Sequence, residues 1–322
     1  MADRELIPLT ISGGPSVRDV TVRDVRRPEL EEYMALALAN TGEIDHRLGL
    51  SDRAKRELGS LFSARLWFLL RLLRLVGRPP VRLLMAEEQG RVVGTTMTLS
   101  IGPWAYVAAV GVREDRRNRG IAQALLRRAE EIGRRGGKQC LVLDVAADNE
   151  PARRLYAKLG WVPRGTVQWW ELPSTHPTAG RPGARLATTG EPELARSVSE
   201  NRLGLALPRG ALHPCEVMCR GTGGPHETLA AGPNGAPTLV LRYWAGREGE
   251  SGFVLPVVTG GVPDAGEEAA LEAARAGLFH RGNRGLFVPV LGDDPPLETL
   301  VRRCGGTPTV RSEVWSRTLA PR

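Results

Sequence analysis

The stretch REDRRNRGIAQALLRRAEE, residues 113–131, decides how this chain is read. Two acidic residues sit early in it, then a burst of arginines broken by one glycine. Apolar positions follow at helical spacing: Ile121, Leu125, Ala129 and Ile132. Arg127, Arg128, Glu130, Glu131 and Arg134 fall on other faces, so the spacing predicts an amphipathic helix opening at Gly120. The segment before it, WAYVAAVGV, reads as another strand. A helix that opens directly after a strand presents unpaired N–H groups and the positive end of its dipole. A tight loop brings those groups to one point, and Gly120 lets an anion approach the backbone with no Cβ in the way. Ala122 keeps the next turn small, and the arginines add attraction. The pattern predicts a seat for a pyrophosphate. It is not a nucleotide P-loop, because no Gly-Lys-Ser/Thr follows, and the three-glycine dinucleotide spacing is missing.

Outward from this stretch the chain alternates strands and helices. Residues 20–27 (VTVRDVRR) read as a strand, and RPELEEYMALALANTG as a helix ended by Gly42. A second helical stretch is expected from Ser51 to Gly77, with Ser51 as its N-cap and Pro79-Pro80 as its stop. VRLLMAEEQGRVVGTTMTLSIG predicts a hairpin turning at Gln89-Gly90. QCLVLDVAADN reads as a buried strand, EPARRLYAKLG as a short helix with Pro151 in its first turn, and WVPRGTVQWWEL as a final strand or hairpin. PSTHPTAGRPG, residues 173–183, has the composition of a linker. With 322 residues the prior is two domains, placed at residues 1–174 and 184–322. The fold class expected is α/β with a mixed sheet.

Composition excludes several classes. The chain is 42% hydrophobic and 25% charged, as globular chains are. The net charge of +8 would suit an anionic partner, but no basic run is interleaved with stacking aromatics, so nucleic acid is not expected. The start, MADRELIPLT, has charges where a secretory signal needs an apolar core, so a cytoplasmic location and reduced thiols are expected for its four cysteines. HPCEVMC (213–219), with His226 nearby, fits no common zinc spacing and is read as strand or loop; no metal is expected. The most apolar run, LFSARLWFLLRLLRLVG (61–77), is broken by Arg65, Arg71 and Arg74 and is short for a membrane span. It is read as a packed amphipathic helix, with an interfacial helix or a mobile wall over an apolar substrate as the competing reading and no stable membrane insertion expected.

The loop Arg117-x-x-Gly120-x-Ala122, preceded by Val110-Gly111-Val112, resembles the acyl-CoA loop of the GNAT family of N-acetyltransferases, Gln/Arg-x-x-Gly-x-Gly/Ala. Downstream, DNEPARRLYAKLGW resembles the same family's Asn-x-x-Ala-x-x-Leu-Tyr-x-Lys-x-Gly-Phe segment through Asn149, Ala152, Leu155, Tyr156, Lys158 and Gly160, with Trp161 for the phenylalanine. Two motifs in order, over residues 20–172, make the resemblance specific.

The resemblance implies an acetyl-CoA-dependent N-acetyltransferase, an acyltransferase of groups other than aminoacyl, acting by direct attack in a ternary complex. Two neighbouring parallel strands would splay and hold the pantetheine arm. The backbone of Val110, Gly111 and Val112 would bond that arm, and Asn118, Arg119, Gly120, Ile121, Ala122 and Gln123, with Arg117, would hold the pyrophosphate. Tyr156 is the candidate general acid for the departing sulfur, against a reading as core packing. Asn149 would bond the cofactor arm or cap the short helix. Asp144 stands where members that acetylate protein N-termini carry a glutamate, and is the candidate base. It is one methylene shorter, and the competing reading is a salt-bridged strand residue.

Residues from Leu141 lie on those from Leu286 without a gap: Leu141, Val145, Asp148, Pro151, Leu155, Gly160 and Pro163 meet Leu286, Val290, Asp293, Pro296, Leu300, Gly305 and Pro308. A repeated fold explains this. In the copy Val262, Ala265 and Glu267 replace Arg117, Gly120 and Ala122, Glu268 adds a second carboxylate, and Asp294 and Val301 replace Asn149 and Tyr156. The expectation is two tandem GNAT-like acyl-CoA N-acyltransferase domains, the first catalytic and the second degenerate, the latter supporting the fold, walling the acceptor site or mediating assembly such as a homodimer. In mycothiol synthases, also tandem, the C-terminal half is the active one, which argues against close kinship. The acceptor expected is a primary amine of a small molecule or peptide N-terminus. The alternative is a non-catalytic acyl-CoA-binding regulatory module.

Overall fold

Gln89 and Gly90 both take positive φ (52° and 79°), the geometry of a two-residue hairpin turn, and they join the strands where the sequence predicts. The computed structural model describes residues 20–40, 81–173, 184–187, 190, 226–246, 248–258, 265–292 and 294–319. The helix expected from Ser51 to Gly77, the linker from Ser174 to Gly183 and the HPCEVMC segment lie outside them. The first half runs β1 (Val20–Asp24), α1 (Leu30–Ala39), β2 (Val81–Glu88), β3 (Arg91–Ile101), β4 (Trp104–Val112), α2 (Ile121–Arg135), β5 (Cys140–Ala146), α3 (Glu150–Lys158) and β6 (Val162–Pro173). The segment after Trp161 is thus a single strand and not a hairpin. The second half runs β7 (Arg185–Leu186), β8 (His226–Ala231), β9 (Leu239–Trp244), β10 (Gly252–Val258), α4 (Ala265–Phe279), β11 (Gly285–Leu291), α5 (Pro295–Arg303) and β12 (Thr307–Thr318). The repeat is structural: α3 and α5 start 145 positions apart, and so do β6 and β12.

The twelve strands among the described residues form one mixed sheet in the order β1-β2-β3-β4-β5-β12-β6-β11-β10-β9-β8-β7. The two halves exchange their last strands. β12 pairs with β5 from Thr318↔Cys140 to Ser312↔Ala146, and β6 pairs with β11 from Gly285↔Pro173 to Leu291↔Val167. Each half's sheet is therefore finished by the other's final strand, and the two exchanged strands pair antiparallel at the centre.

Packing follows the period of two along each strand. Leu126 and Ala129 of α2 and Tyr156 of α3 lie on Leu141, Leu143 and Val145, together with Trp161, Trp315 and Leu319. Gly133 lets α2 approach closely, because a Cβ there would come 2.7 Å from Leu319 Cδ1 and 3.0 Å from Leu141 Cδ2. The opposite face carries Trp104, Tyr106, Val142 and Trp169 of the first half against Trp244, Phe253 and Phe287 of the second. One outward assignment needs correction. Glu130 is buried, held by Arg134 at 3.2 Å and by Arg317 at 3.7 Å. Arg317 arrives on the exchanged strand, so nothing local to the helix announces its partner. Among the described residues no helix is long and apolar enough to cross a membrane, and no group of three or more His, Cys, Asp and Glu has metal-binding proximity.

Candidate active site

β4 and β5 are parallel neighbours, yet only Trp104↔Cys140, Ala105↔Leu141 and Tyr106↔Val142 pair. Beyond Tyr106 the strands part, and the edge of β4 from Val107 to Val112 that faces β5 has no strand to bond among the described residues. A bulge lies in that stretch: on β3, Thr95 pairs Gly111 while Met97 pairs Ala108, and Ala109 takes φ 52°. The bulge carbonyls are satisfied from β3, Ala109 O accepting from Thr95 Oγ1 and Ala108 O from Thr96 Oγ1, both at 3.2 Å. Val110, Gly111 and Val112 thus line a parted strand edge. Gly111 is required by its neighbour, since a Cβ there would lie 2.6 Å from Asn40 Cβ.

The loop after β4 leads into α2 through two left-handed residues, Asn118 (φ 62°) and Gly120 (φ 82°). Gly120 is the N-cap of α2 and no side chain caps it. The first turn of α2 contains no acidic residue, so the positive end of the dipole is left open. Ile121 is buried against Leu84, Ala86 and Leu125, so only its backbone is available to a ligand, whereas Ala122 and Gln123 are half-buried. The arginines divide. Arg113 pairs with Asp115 and Arg116 with Glu88, which takes both out of the site. Arg119 is exposed. Arg117 turns back toward the strand end and α1, donating to Val112 O at 3.5 Å and Asn40 Oδ1 at 3.4 Å. Asn40 closes α1 and itself donates to Leu36 O. Its place beside Gly111 and Arg117 had no signal in the motif.

Tyr156 lies on α3, buried between Trp161 and Trp315 with ring centroids 6.0 and 6.2 Å away. Its hydroxyl makes no hydrogen bond among the described residues. Burial pushes the phenol well above its ordinary value, and the negative charge of Asp144 adds to the shift. Asp144 accepts a hydrogen bond from Tyr106, the last residue of β4 paired with β5. By strand alternation Asp144 faces the side of Val142 and Ala146, opposite the Leu141, Leu143 and Val145 face on which Tyr156 packs. The two groups therefore address the parted strands from opposite faces of the sheet. Asn149 caps α3, its Oδ1 accepting from Ala152 N at 3.2 Å.

The arrangement fits a ligand with a diphosphate at one end and an amide-bearing arm: an open helix start, then unpaired strand edges. The second half keeps the backbone and not the charge. β10 and β11 also part after two pairs, but Glu267 and Glu268 occupy the first turn of α4 and Val301 stands at the position of Tyr156.

Comparison with known proteins agrees with this geometry. Residues 50–161 match the family model of the acetyltransferase (GNAT) family. A GCN5-related N-acetyltransferase from Sphaerobacter thermophilus superposes with TM-score 0.59 at 16% identity, covering 96% of this chain and 98% of its own. A tandem GNAT protein from the clavulanic acid biosynthesis pathway gives 0.55 at 22% identity, covering 94% and 99%. A GCN5-related N-acetyltransferase from Anabaena variabilis gives 0.51 at 14% identity, covering 94% of this chain and 73% of its own. No curated protein matches the chain. The structural likenesses show a two-domain GNAT fold, and residues 50–161, the stretch that matches the family model, lie in its first half.

Proposed function

We propose that the protein transfers an acetyl group from acetyl-CoA to a primary amine of a small molecule or peptide, and that the first half does the chemistry. The observation that carries this is the parting of β4 and β5 beside an uncapped, acid-free helix start. Acetyl-CoA would supply the acetyl group as a thioester. The N–H groups at the start of α2, with Arg117 and Arg119 near, would hold its diphosphate, and the β4 edge at Val110, Gly111 and Val112 would bond the arm. A β4 N–H beside the bulge would donate to the thioester oxygen as negative charge develops on it.

Tyr156 and Asp144 take different tasks because they lie on different faces. The amine adds to one face of the planar thioester, and the sulfur then leaves from another corner of the tetrahedral intermediate, so a base beside the amine and a donor beside the sulfur suit a direct transfer. Asp144, with Tyr106 holding one of its oxygens, would accept the proton the amine sheds, directly or through water. A phenol held above its ordinary value stays protonated at neutral pH. It is a weaker acid than a thiol of pKa about 8.5, so it helps the departing thiolate by donating a hydrogen bond.

The test is an amine panel, small amines and peptide N-termini, followed through CoA thiol release. With the best acceptor, Tyr156→Phe is expected to lower kcat about 10²-fold while the Kd for CoA stays within about twofold. An unchanged rate discards Tyr156 as the donor. Tight CoA binding with no turnover on any amine replaces the enzyme with a regulatory acyl-CoA-binding module.

A further inference from the structure

The chain's last strand lies along the helix that carries Tyr156. Glu313 of β12 takes both arms of Arg153 of α3, Nε at 2.9 Å and a terminal nitrogen at 2.8 Å, and Arg153 also donates to Ala147 O. Two residues on, Trp315 donates its indole N–H to Glu313 at 3.0 Å and sets its ring 6.2 Å from that of Tyr156. Two further on, Arg317 donates to Gly160 O, in the turn that ends α3. Three alternate residues of one strand thus grip α3 at its first turn, at Tyr156 and at its exit, and all three come from the other half of the chain.

The mirror position shows that this polar chain is not a general requirement of the fold. On β6 the equivalents of Glu313 and Trp315 are Gln168 and Trp170. Trp170 packs with Val301 and under Arg302, 4.7 Å from its ring, yet its indole N–H has no partner among the described residues, and Gln168 donates to backbone carbonyls instead. The hydrogen-bonded sequence Arg–Glu–Trp occurs on the side that has a tyrosine to aim.

We propose that Trp315, fixed by Glu313, is a positioning residue for Tyr156, so that the C-terminal half completes the reaction site of the N-terminal half. This rests on Tyr156 being the hydrogen-bond donor to the leaving group. A ring packed on two sides has one orientation; with Trp315 removed, the phenol gains rotamer freedom and water, and its aim is lost.

The experiment is a double-mutant cycle in the full chain, with acetyl-CoA and the best amine of the panel. Trp315→Ala is expected to lower kcat about tenfold with the KM for acetyl-CoA within about twofold, and to have no further effect when Tyr156 is already Phe. Trp315→Phe, which keeps a ring, restores most of the rate, and Glu313→Gln falls between. Admitting water lowers the raised phenol pKa, so the alkaline limb of the kcat profile moves to lower pH in Trp315→Ala, a shift a purely architectural role would not produce. If Trp315→Ala does not fold, Glu313→Gln and Trp315→Phe carry the same comparison. Equal losses in both Tyr156 backgrounds, or an unmoved alkaline limb, overturn the proposal. A slow Tyr156→Phe with a fully active Trp315→Ala overturns it alone, whereas an unimpaired Tyr156→Phe overturns the donor reading and this inference with it.

Discussion

The helices α2 and α4 follow the parted strands in the two halves at matching places, and they begin in opposite ways. The first turn of α4 holds Glu267, buried, and Glu268, 3.6 Å from Arg303. The first turn of α2 holds no carboxylate. A carboxylate at a helix start is worth ~0.3–1 kcal/mol, so α4 takes a stabilisation that α2 forgoes. The difference teaches that one backbone serves two ends: where the dipole is neutralised from within, the helix is structural, and where it is left open, an external anion has a place. The parting of the strands, kept in both halves, does not distinguish them.

The strand exchange makes the comparison a matter of one molecule and not two modules. A fragment of residues 1–174 lacks β12 and Leu319 just after it, so Leu141, Leu143 and Tyr156 lose the cover of Trp315 and Leu319. Losing the burial of Val310, Val314, Trp315 and Leu319 forfeits ~6–12 kcal/mol, the scale of a whole domain's stability. The fragment is expected to lack a cooperative thermal transition by calorimetry and to bind no CoA. A fragment that melts sharply and binds CoA would show that β6 can fold back beside β5.

Two substitutions at α2 transplant features toward the second half. Gly120→Glu puts a side chain where φ is 82°, a cost of ~1–2 kcal/mol, and a negative charge at the helix mouth. The Kd for CoA, measured by calorimetry, should rise at least ~100-fold with the fold retained. Gln123→Glu copies Glu268 at its equivalent position on α2. It should raise stability by ~0.5 kcal/mol in urea unfolding while raising the KM for acetyl-CoA about tenfold. Stability and binding moving in opposite directions is the signature sought; unchanged binding would remove the helix start from the anion site.

Much of the first half was legible because its signals are local. The hairpin at Gln89-Gly90, the extent of β4, the start of α2 at Gly120 and the cap at Asn149 are set by residues within a few positions of each other. The strand exchange was not legible. β6 and β12 follow helices of the same length at the same spacing and carry similar apolar alternation, so nothing local decides which β5-type strand each joins. The same long reach hid Glu130's burial against Arg317, the hydrogen bond from Tyr106 to Asp144 and the packing of Trp315 on Tyr156. The Asn40 contact with Gly111 and Arg117 was hidden likewise, because its partners lie far along the chain, Arg117 77 positions on.

The smallest effects belong to the caps, and they sharpen the comparison most finely. Asn149 Oδ1 and Asp294 Oδ1 each accept from the N–H three residues on, Ala152 and Leu297, at 3.2 Å. Each helix also has proline in its first turn, so the two starts are built alike. Asn149→Ala and Asp294→Ala should each cost about 1 kcal/mol in urea unfolding, since the N–H of Ala152 or of Leu297 loses its acceptor. Only Asn149 stands beside the parted β4 and β5, so a cofactor role adds a second readout: a higher KM for acetyl-CoA in Asn149→Ala and none in Asp294→Ala. Asn149→Asp separates the two tasks, because it keeps the acceptor for Ala152 N and removes the amide donor. If Asn149→Ala loses stability with KM unmoved, the residue is a cap in both halves, and the whole difference between them contracts to the charge at the mouths of α2 and α4 and to the tyrosine.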